Sequence, residues 1–265
     1  MNEPTLATKA PAPAVETAAR LLDALSAHGG SATLDELTRD VGEPRSSIHR
    51  ILTTLISVGA VSRAPRRGGY RLGLKVLDWG SAYARAVDLF EEFRAVAIPL
   101  SREINETVRL AMLDIPDIVW VAKVDCTRAV RLASEIGQRD PVHASAAGKV
   151  FLAWNGALLD TLGPVAAVTP YTLTSPEALR TELAGVRVAG YAADQQEAAE
   201  NLCSVAAPIS PRGTLVAAMS ICVCCQALEG TYRDTLVSGL LEASAILAKS
   251  LPGSPGPATS NGSAG

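Results

Sequence analysis

Hydrophobic positions near the start of the chain repeat with the spacing of one buried helix face. The clearest repeat lies in Glu43–Leu55, where the apolar positions are Ile48, Ile51, Leu52 and Leu55. The opposite face carries hydroxyl, basic and imidazole side chains, which are Arg45, Ser46, Ser47, His49 and Arg50. Small hydroxyl groups let a helix approach a surface closely, and arginine reaches phosphates and the edges of guanine. The pattern predicts a DNA-recognition helix, with a solvated surface helix as the alternative that this segment alone leaves open.

Two further helices are predicted upstream of this segment. Val15–Ala27 has an apolar stripe that ends at a pair of glycines. Thr33 with Glu36 forms a capping-box pattern that opens a second helix. Gly42 then permits a sharp turn, and Pro44 suits the first position of the third helix. The order of helix, capped helix, tight turn and helix is that of a helix-turn-helix.

A β-hairpin is predicted directly after the third helix. Two short strand-like runs, Val58–Val61 and Tyr70–Leu72, flank a turn at Gly68 and Gly69. The arginines of the hairpin that face DNA in this prediction are Arg63, Arg66 and Arg67. A hairpin by itself is typical of a solvated surface turn. After a helix-turn-helix it is typical of a wing, whose arginines hold phosphates or enter the adjacent minor groove.

A long helical pattern without proline follows the hairpin and covers Leu74–Val96. It predicts a linker helix with the aromatic side chains Trp79 and Tyr83 spread around it. Such side chains contact a second subunit or pack on their own chain, and the sequence leaves both possibilities open.

The second half of the chain alternates strand-like runs with helical patterns. The predicted strands are Val108–Asp114, Ile118–Val124, Val130–Ile136, Tyr191–Asp194, Ser204–Ile209 and Thr214–Val223. The predicted helices are Ser145–Trp154, Glu177–Ala189 and Tyr232–Leu251. Hairpin strands with helices between them predict an α+β domain around a mostly antiparallel sheet.

These patterns divide the chain into five parts. They are a disordered arm at 1–14, a winged helix-turn-helix domain at 15–73, a linker helix at 74–96, an α+β domain at 97–251 and a disordered tail at 252–265. The arm is rich in Ala, Pro and Thr, and the tail is rich in Gly, Pro and Ser. Segments of such composition bury too little apolar surface to fold.

The formal net charge of −3 is unevenly distributed. Glu43–Leu77 carries seven basic side chains and one acidic side chain, a net charge of +6, so the rest of the chain carries −9. A compact basic segment inside an acidic protein predicts a local polyanion site. Because this segment coincides with the predicted helix-turn-helix and wing, double-stranded DNA is the expected partner.

Composition also narrows the cellular setting. No apolar run reaches the roughly 18 residues of a membrane span, and the first residues lack the apolar core of a signal peptide. Five cysteines do not make a disulfide framework in a chain of 265 residues. We expect a protein with no membrane contact and reduced thiols, in the bacterial cytoplasm and on the nucleoid.

Four blocks of the sequence resemble the IclR family of bacterial transcriptional regulators. They are EPRSSIHRILTTLISVGAV, GGYRLGLKVLDWG, PVHASAAGK at Pro141–Lys149, and GYAADQQEAAENLCSVAAPI at Gly190–Ile209 followed by LVAAMSI at Leu215–Ile221. The resemblance extends over about Val15–Leu251. It implies a GAF-like effector domain, homodimers that often pair into tetramers, and operator binding controlled by a small organic ligand. We expect no cofactor and no catalytic activity.

The resemblance also implies which residues form the effector pocket. Carried over position by position, they are Ala146, Ala147, Asp194, Ser204, Ser220 and Cys222. The chain departs from the family at three positions. The family usually has cysteine where Ser204 stands, glycine where Asn201 stands, and a small or hydroxyl residue where Cys222 stands. The pocket is therefore altered in detail, and a relative's effector cannot be assigned to this chain.

The chemistry of these residues favours a small carboxylate as the effector. Alanines at a helix start leave backbone N–H groups open to an anion. Ser204 and Ser220 add hydroxyl donors, unless each is a small residue satisfied within the sheet. Asp194 suits a hydroxyl or amine of the ligand, or it caps a strand end by accepting backbone N–H groups. His143 touches the ligand or orients its own loop, and we favour the loop.

Three other classes of function are alternatives. A metal-responsive sensor would use the thiols of Cys203, Cys222, Cys224 and Cys225, but no CxxC pair exists and buried cysteine is more often a small hydrophobe, so we assign no metal site. An enzyme would need a base beside a nucleophile, and no G-x-S-x-G motif is present. A winged helix that docks to protein does not require a charge of +6. The operator and the direction of regulation do not follow from these patterns.

Overall fold

The computed structural model describes residues 12–29, 31–64, 68–85, 88–128, 135–225, 228 and 230–251. Two compact units divide the chain, Met1–Val87 and Asp88–Gly265. The five-part division with boundaries at 15, 74, 97 and 252 remains a prediction. The predicted tail at 252–265 lies outside the described residues, as do residues 1–11 of the predicted arm.

The first unit contains four helices and a hairpin among its described residues. Its elements are α1 Pro13–Ala27, α2 Leu34–Val41, α3 Arg45–Ser57, β1 Val61–Arg63, β2 Tyr70–Leu72 and α4 Leu74–Arg85. The predicted helix-turn-helix is confirmed, and so is the hairpin, but its first strand is Val61–Arg63 and not the predicted Val58–Val61. The predicted disordered arm is wrong at its last two positions, because Pro13 and Ala14 already belong to α1. Proline is well suited to this first turn, where no intrahelical N–H is needed.

Apolar side chains from α1, α2 and α3 form the core of this unit, and the buried ones include Leu21, Leu25, Leu37, Val41, Ile48, Leu52 and Leu55. The capping box is formed as predicted. Glu36 N–H donates to Thr33 Oγ1 over 3.3 Å, and Thr33 N–H donates to Glu36 Oε2 over 2.7 Å. Gly42 ends α2 at φ +73°, a conformation that glycine adopts without strain. These contacts set the direction in which α3 leaves the turn.

The hairpin is antiparallel and is tied back to the helices. Val61 pairs with Leu72 and Arg63 pairs with Tyr70. Ala32, in the loop before α2, exchanges two backbone hydrogen bonds with Tyr70, at 3.0 and 2.8 Å. The base of the hairpin is therefore fixed to the helix-turn-helix by backbone pairing.

The predicted single linker helix over Leu74–Val96 is wrong in extent. The structure has two helices here, α4 and α5 Leu89–Ile104, and α5 continues through Pro99. Phe93, Ala97 and Leu100 are buried on one stripe of α5, so packing holds the helix together at a residue that removes one backbone hydrogen bond. The sequence pattern treated Pro99 as a boundary because it contains no information about this packing.

The described residues of the second unit include a six-stranded, fully antiparallel sheet in the order β5-β4-β3-β8-β7-β6. Its strands are β3 Thr107–Asp114, β4 Asp117–Val124, β5 Arg139–Pro141, β6 Ala192–Gln195, β7 Leu202–Ile209 and β8 Ala217–Cys224. Its further helices are α6 Ala146–Trp154, α7 Ala157–Thr161, α8 Pro176–Ala189 and α9 Gly230–Ser250. The predicted α+β class and antiparallel sheet are confirmed.

Helices cover both faces of this sheet. α6 packs on one face, where Ala146, Ala147 and Val150 join a buried cluster with Ala206 and Ala218. α5 and α9 pack together on the other face. Buried side chains on successive positions of β7 and β8 follow from this arrangement, because neither face of these strands meets water. None of the helices among the described residues has the length and hydrophobicity needed to cross a membrane.

Two elements of this unit were not predicted, and one prediction is mostly untested. The edge strand β5 and the short helix α7 contain three and five residues, too few for a clear periodic pattern. Of the predicted strand Val130–Ile136, residues 130–134 lie outside the described residues, and Ile136 lies in a turn.

The expectation of reduced thiols is wrong for one pair of cysteines. Cys203 on β7 and Cys225, directly after β8, form a disulfide with their Cα atoms 4.8 Å apart. The pairing of β7 with β8 places Cys203 opposite Val223, so the end of β8 returns to the start of β7. Cys126, Cys222 and Cys224 remain free thiols. Sequence spacing did not indicate the pair because it depends on the strand register.

Candidate functional site

The candidate DNA-binding surface begins on α3. The predicted inward stripe is confirmed, since Ile48, Leu52 and Leu55 are buried and Ile51 packs against them. The opposite side carries the predicted contact residues, with Ser47 half-buried and the others exposed, and these are Arg45, Ser46, Ser47, His49 and Arg50. Pro44 occupies the N-cap, one position before the predicted one. The helix therefore presents a polar, basic face from its first residue.

Two of these side chains differ in how they are held. Arg45 Nη1 forms an ion pair with Asp35 Oδ1 on α2, which ties the start of α3 to the preceding helix. Arg50 has no ion-pair partner among the described residues. An unpaired exposed guanidinium is available for an external anion or base edge.

The hairpin contributes the second part of this surface. The guanidinium of Arg63 lies over the Tyr70 ring, 4.4 Å from its centroid, and its side chain is exposed. Arg71 Nε donates to Ser62 Oγ over 3.1 Å. The predicted contacts Arg66 and Arg67 lie outside the described residues. The hairpin base is therefore an ordered cationic surface.

The candidate effector site lies in the second unit, on the sheet face that packs against α6. Asp194, Ser204 and Cys222 are register partners across β6, β7 and β8, so their side chains form one row on this face. Ser220 lies in the next row, opposite Ala206. The structure thus brings together four of the predicted pocket residues, which are separated by up to 28 positions in the sequence.

The start of α6 faces the same site. Ser145 caps the helix by accepting the N–H of Gly148 over 3.1 Å. Ala146 and Ala147 are fully buried, and the N–H groups of the first turn have no acceptor within the helix. An anion at this end of the helix is favoured by these donors and by the helix dipole.

Asp194 is buried and held by the chain itself. Its Oδ1 accepts the N–H of Glu197 over 2.7 Å and of Ala198 over 3.4 Å, and its Oδ2 accepts the Ser204 hydroxyl over 3.4 Å. Burial raises the pKa of Asp194 to about 6, against the lowering effect of the Glu197 N–H. Of the two alternatives from the sequence, the geometry matches the internal cap.

A buried lysine next to this row was not predicted as a structural residue. Lys149 is fully buried, and its Nζ lies 2.5 Å from Glu197 Oε1 and 3.0 Å from the carbonyl oxygen of Ala193. The pair joins α6 to the turn after β6, and the same turn carries the two backbone N–H groups that donate to Asp194. The signal for this role that the sequence offered was Lys149 in the Gly148–Lys149 dipeptide, because lysine rarely occurs on the inner face of a helix.

Two more groups complete the face. Burial raises the pKa of the Cys222 thiol to about 11, so this side chain is an uncharged thiol near pH 7. His143 Nε2 hydrogen-bonds the carbonyl oxygen of Ala166 over 2.9 Å, so the histidine braces its loop as we favoured. Among the described residues, no group of three or more His, Cys, Asp or Glu side chains is arranged to hold a metal ion.

Arg109 is the charged residue of this face that the sequence reasoning missed. It lies on β3 opposite Ser220, is 7% exposed, and places its guanidinium 3.6 Å from the centroid of a Trp120 ring. A single arginine inside the apolar run VRLAMLD was the signal, because an unpaired charge is rarely buried in a sheet.

Comparison with known proteins matches both units. The family model described as "IclR helix-turn-helix domain" matches residues 14–65. The family model described as "Bacterial transcriptional regulator IclR C-terminal" matches residues 81–248. The Escherichia coli regulator XynR is 31% identical over 243 residues, which are 89% of this chain and 96% of XynR. The Escherichia coli repressor IclR is 35% identical over 197 residues, which are 72% of each chain.

Solved structures are similar over most of the chain. An IclR-type regulator from Alicyclobacillus acidocaldarius has a TM-score of 0.80 at 26% identity, covering 90% of this chain and 98% of its own. An IclR homologue from Microbacterium hydrocarbonoxydans, solved in complex with 4-hydroxybenzoate, has a TM-score of 0.76 at 26% identity. The match covers 89% of this chain and 97% of that one.

Proposed function

The chain belongs to the IclR family of bacterial transcriptional regulators, and from this membership we propose how its two units bind operator DNA and an effector. It is a ligand-responsive regulator with a DNA-binding helix-turn-helix and a C-terminal effector-binding domain. The observation that carries the proposal is the exposed basic face of α3 beside the cationic hairpin base. We place the protein in the cytoplasm and on the nucleoid, where its operators lie.

On the DNA side, α3 enters the major groove with its polar face towards the bases. The contact residues in this proposal are Arg45, Ser46, Ser47, His49 and Arg50. Arg50 is the strongest candidate for base recognition, because its guanidinium has no ion-pair partner among the described residues and two parallel N–H donors match the acceptor edge of guanine. The wing residues Arg63, Arg66 and Arg67 hold phosphates or enter the adjacent minor groove.

On the effector side, a small organic acid binds between the start of α6 and the sheet. The main-chain N–H groups of Ala146 and Ala147 and the hydroxyl of Ser220 donate hydrogen bonds to it. Cys222 contributes a neutral thiol to the wall of the site, and Asp194 holds the Ser204 hydroxyl in place. The 4-hydroxybenzoate bound by the Microbacterium homologue carries a carboxylate, which supports this class of ligand.

The active form in this proposal is a homodimer or a dimer of dimers. The support lies on α4, whose exposed large side chains are Leu74, Leu77, Trp79 and Tyr83. Neighbouring apolar side chains exposed on one helix suit contact with a second subunit. Pairing of two helix-turn-helix units would also match a two-fold symmetric operator.

We assign no catalytic role to this chain. The curated relatives are named as transcriptional regulators and repressors. The candidate base of the second unit, His143, is hydrogen-bonded to the backbone carbonyl oxygen of Ala166, in the segment between α7 and α8.

The proposal is tested by titrating the purified protein against DNA from upstream of its own gene and the neighbouring genes, at several salt concentrations. Saturable binding with a sequence preference and a steep salt slope is the expected result. Small organic acids are then screened for a change in operator affinity, which we expect to correspond to a coupling free energy of about 1–3 kcal/mol. Binding with no preference over random duplex in these regions would contradict the proposal and favour a protein-docking winged helix.

A further inference from the structure

Arg109 is a buried arginine that has no counter-charge in the part of the chain that the structure describes. Arg109 is 7% exposed, and within the described ranges no carboxylate lies within 4.0 Å of its guanidinium nitrogens. Its Nε is buried and has no hydrogen-bond partner there either. An isolated cation in a protein interior is strongly unfavourable unless an anion reaches it. The folded chain therefore holds a positive charge ready for an anion from outside.

The guanidinium is held in a fixed orientation. It lies 3.6 Å from the centroid of a Trp120 ring, and the Trp120 Nε1–H donates to Asp140 Oδ2 over 2.7 Å. Stacking on an aromatic ring fixes the guanidinium plane while its N–H groups stay free at the edge. Arg109 is thus preorganised, and binding an anion costs little further side-chain ordering.

A second unpaired donor lies directly opposite. Ser220 is the cross-strand partner of Arg109 and is fully buried, and its Oγ has no hydrogen-bond partner among the described residues. Two buried polar groups without partners at adjacent positions are unusual in a native fold, where nearly all such groups are satisfied. Both belong to the face that carries Ser204 and Cys222.

We propose that Arg109 is the counter-charge for a monocarboxylate effector, with Ser220 donating to the same carboxylate. This inference rests on the proposed function and names the residue that selects the ligand's charge. The same sheet face and the start of α6 carry small, buried apolar side chains, namely Ala111, Ala146, Ala147, Ala206 and Ala218. One cation among apolar side chains matches a singly charged carboxylate with an apolar body. A doubly charged phosphate would leave one charge uncompensated.

The test compares acids with their neutral amides on the full chain. The probes are 4-hydroxybenzoate, benzoate and acetate, each paired with its primary amide, and inorganic phosphate. Binding is measured by calorimetry and by the shift in Tm, and operator affinity is measured with and without each probe. The variants are Arg109→Met and the matched control Arg187→Met, which removes an exposed guanidinium 4.5 Å from the Trp154 ring.

The expected result is that at least one acid binds the wild-type and Arg187→Met proteins and its amide does not. Arg109→Met should weaken that binding by about 30-fold or more, because an ionic partner of the carboxylate is lost. Arg109→Lys, which keeps the charge but loses the planar fork, should fall between the two. The Arg109→Lys variant also keeps the test valid if Arg109→Met does not fold.

Four results would overturn the inference: equal binding of an acid and its amide, equal binding by the wild-type and Arg109→Met proteins, tighter binding of phosphate than of every acid, or no acid binding up to about 10 mM. A fall in the Tm of ligand-free Arg109→Met below that of Arg187→Met, with acid binding retained, would identify a structural cation instead.

If an acid binds through Arg109 without changing operator affinity, the carboxylate site stands and the proposed effector role fails. If an uncharged ligand changes operator affinity, the proposed function stands and this inference fails.

Discussion

Ser204 and Asp194 are joined across the β6–β7 pair, with the Ser204 hydroxyl donating to Asp194 Oδ2 over 3.4 Å. The other oxygen of Asp194 accepts two backbone N–H groups from the turn after β6. Despite these donors, burial raises the pKa of Asp194 to about 6 from an ordinary value of 3.8. This carboxyl therefore couples the stability of the folded chain to pH.

The first prediction concerns the pH dependence of stability. Between pH 3.8 and 6 the folded chain binds the Asp194 proton more tightly than the unfolded chain, so this group lowers the free energy of unfolding as pH rises through that window. The decrease is on the order of 3 kcal/mol and persists above the window. Asp194→Asn should remove it, so the variant should gain stability relative to wild type from pH 4 to pH 6. Denaturant unfolding at several pH values measures the difference.

The control for this measurement is Asp160→Asn, an exposed carboxylate paired with Arg180 over 2.9 Å. Its stability relative to wild type should change little across the same pH window, because an exposed pair contributes little. A parallel response of both variants would show that Asp194 is not the responsible group.

The second prediction concerns the approach of α6 to the preceding loop. A Cβ at Gly148 would lie 2.0 Å from the carbonyl oxygen of Val142, so Gly148→Ala should cost roughly 3 kcal/mol or more in unfolding free energy. An added Cβ at Gly185 on α8 would meet no described atom within 4 Å beyond its chain neighbours and its own helix backbone, so Gly185→Ala should stabilise the helix by about 0.5–1 kcal/mol. Thermal unfolding of both variants measures the two changes in stability. Equal changes in Gly148→Ala and Gly185→Ala would contradict the close approach of α6 to Val142.

The third prediction concerns the start of α2. Thr33→Ala removes the oxygen that accepts the Glu36 N–H, and it should cost about 1 kcal/mol of stability. Glu36→Gln keeps an acceptor for the Thr33 N–H and should be milder, since glutamine also serves in capping boxes. Unfolding followed by circular dichroism provides the measurement. A larger loss in Glu36→Gln than in Thr33→Ala would show that the charge of Glu36 matters more than the cap.

The fourth prediction concerns base recognition by α3. Arg50→Ala should reduce discrimination between the operator and its single-base variants by about 1–3 kcal/mol at one position. Arg102→Ala, which removes an exposed arginine on α5, is the control and should leave operator recognition unchanged. Competition binding with a set of single-base operator variants measures the effect. An unchanged preference in Arg50→Ala would show that this side chain does not read bases.

The fifth prediction separates the wing from the recognition helix. Arg63→Gln removes a charge at the hairpin base, so affinity should fall about equally for all sequences and the salt slope should decrease by about one. Titrations on operator and random duplex at several salt concentrations test this. A loss of affinity confined to the operator would show that Arg63 contacts bases and not phosphates.

Much of the DNA-binding unit follows from local signals in the sequence. The stripe of Ile48, Leu52 and Leu55, the Thr33–Glu36 box and the turn at Gly42 each depend on residues close together in the chain. Local propensity and tertiary packing agree in this unit, so periodicity alone predicts its helices. The linker was mispredicted because the burial of Phe93 and Ala97 outweighs the helix-breaking tendency of Pro99.

The sequence by itself determined the helix-turn-helix, the hairpin, the α+β class and the choice of small and polar residues for the candidate effector site. Only the tertiary structure decided which of those residues meet. Strand register places Asp194 beside Ser204 and brings Cys203 to Cys225. It also sets Arg109 opposite Ser220, with no counter-charge among the described residues. The physical reason is that the hydrogen-bond register between strands distant in sequence decides which side chains are neighbours on a sheet face. The linear pattern of residues does not contain that register.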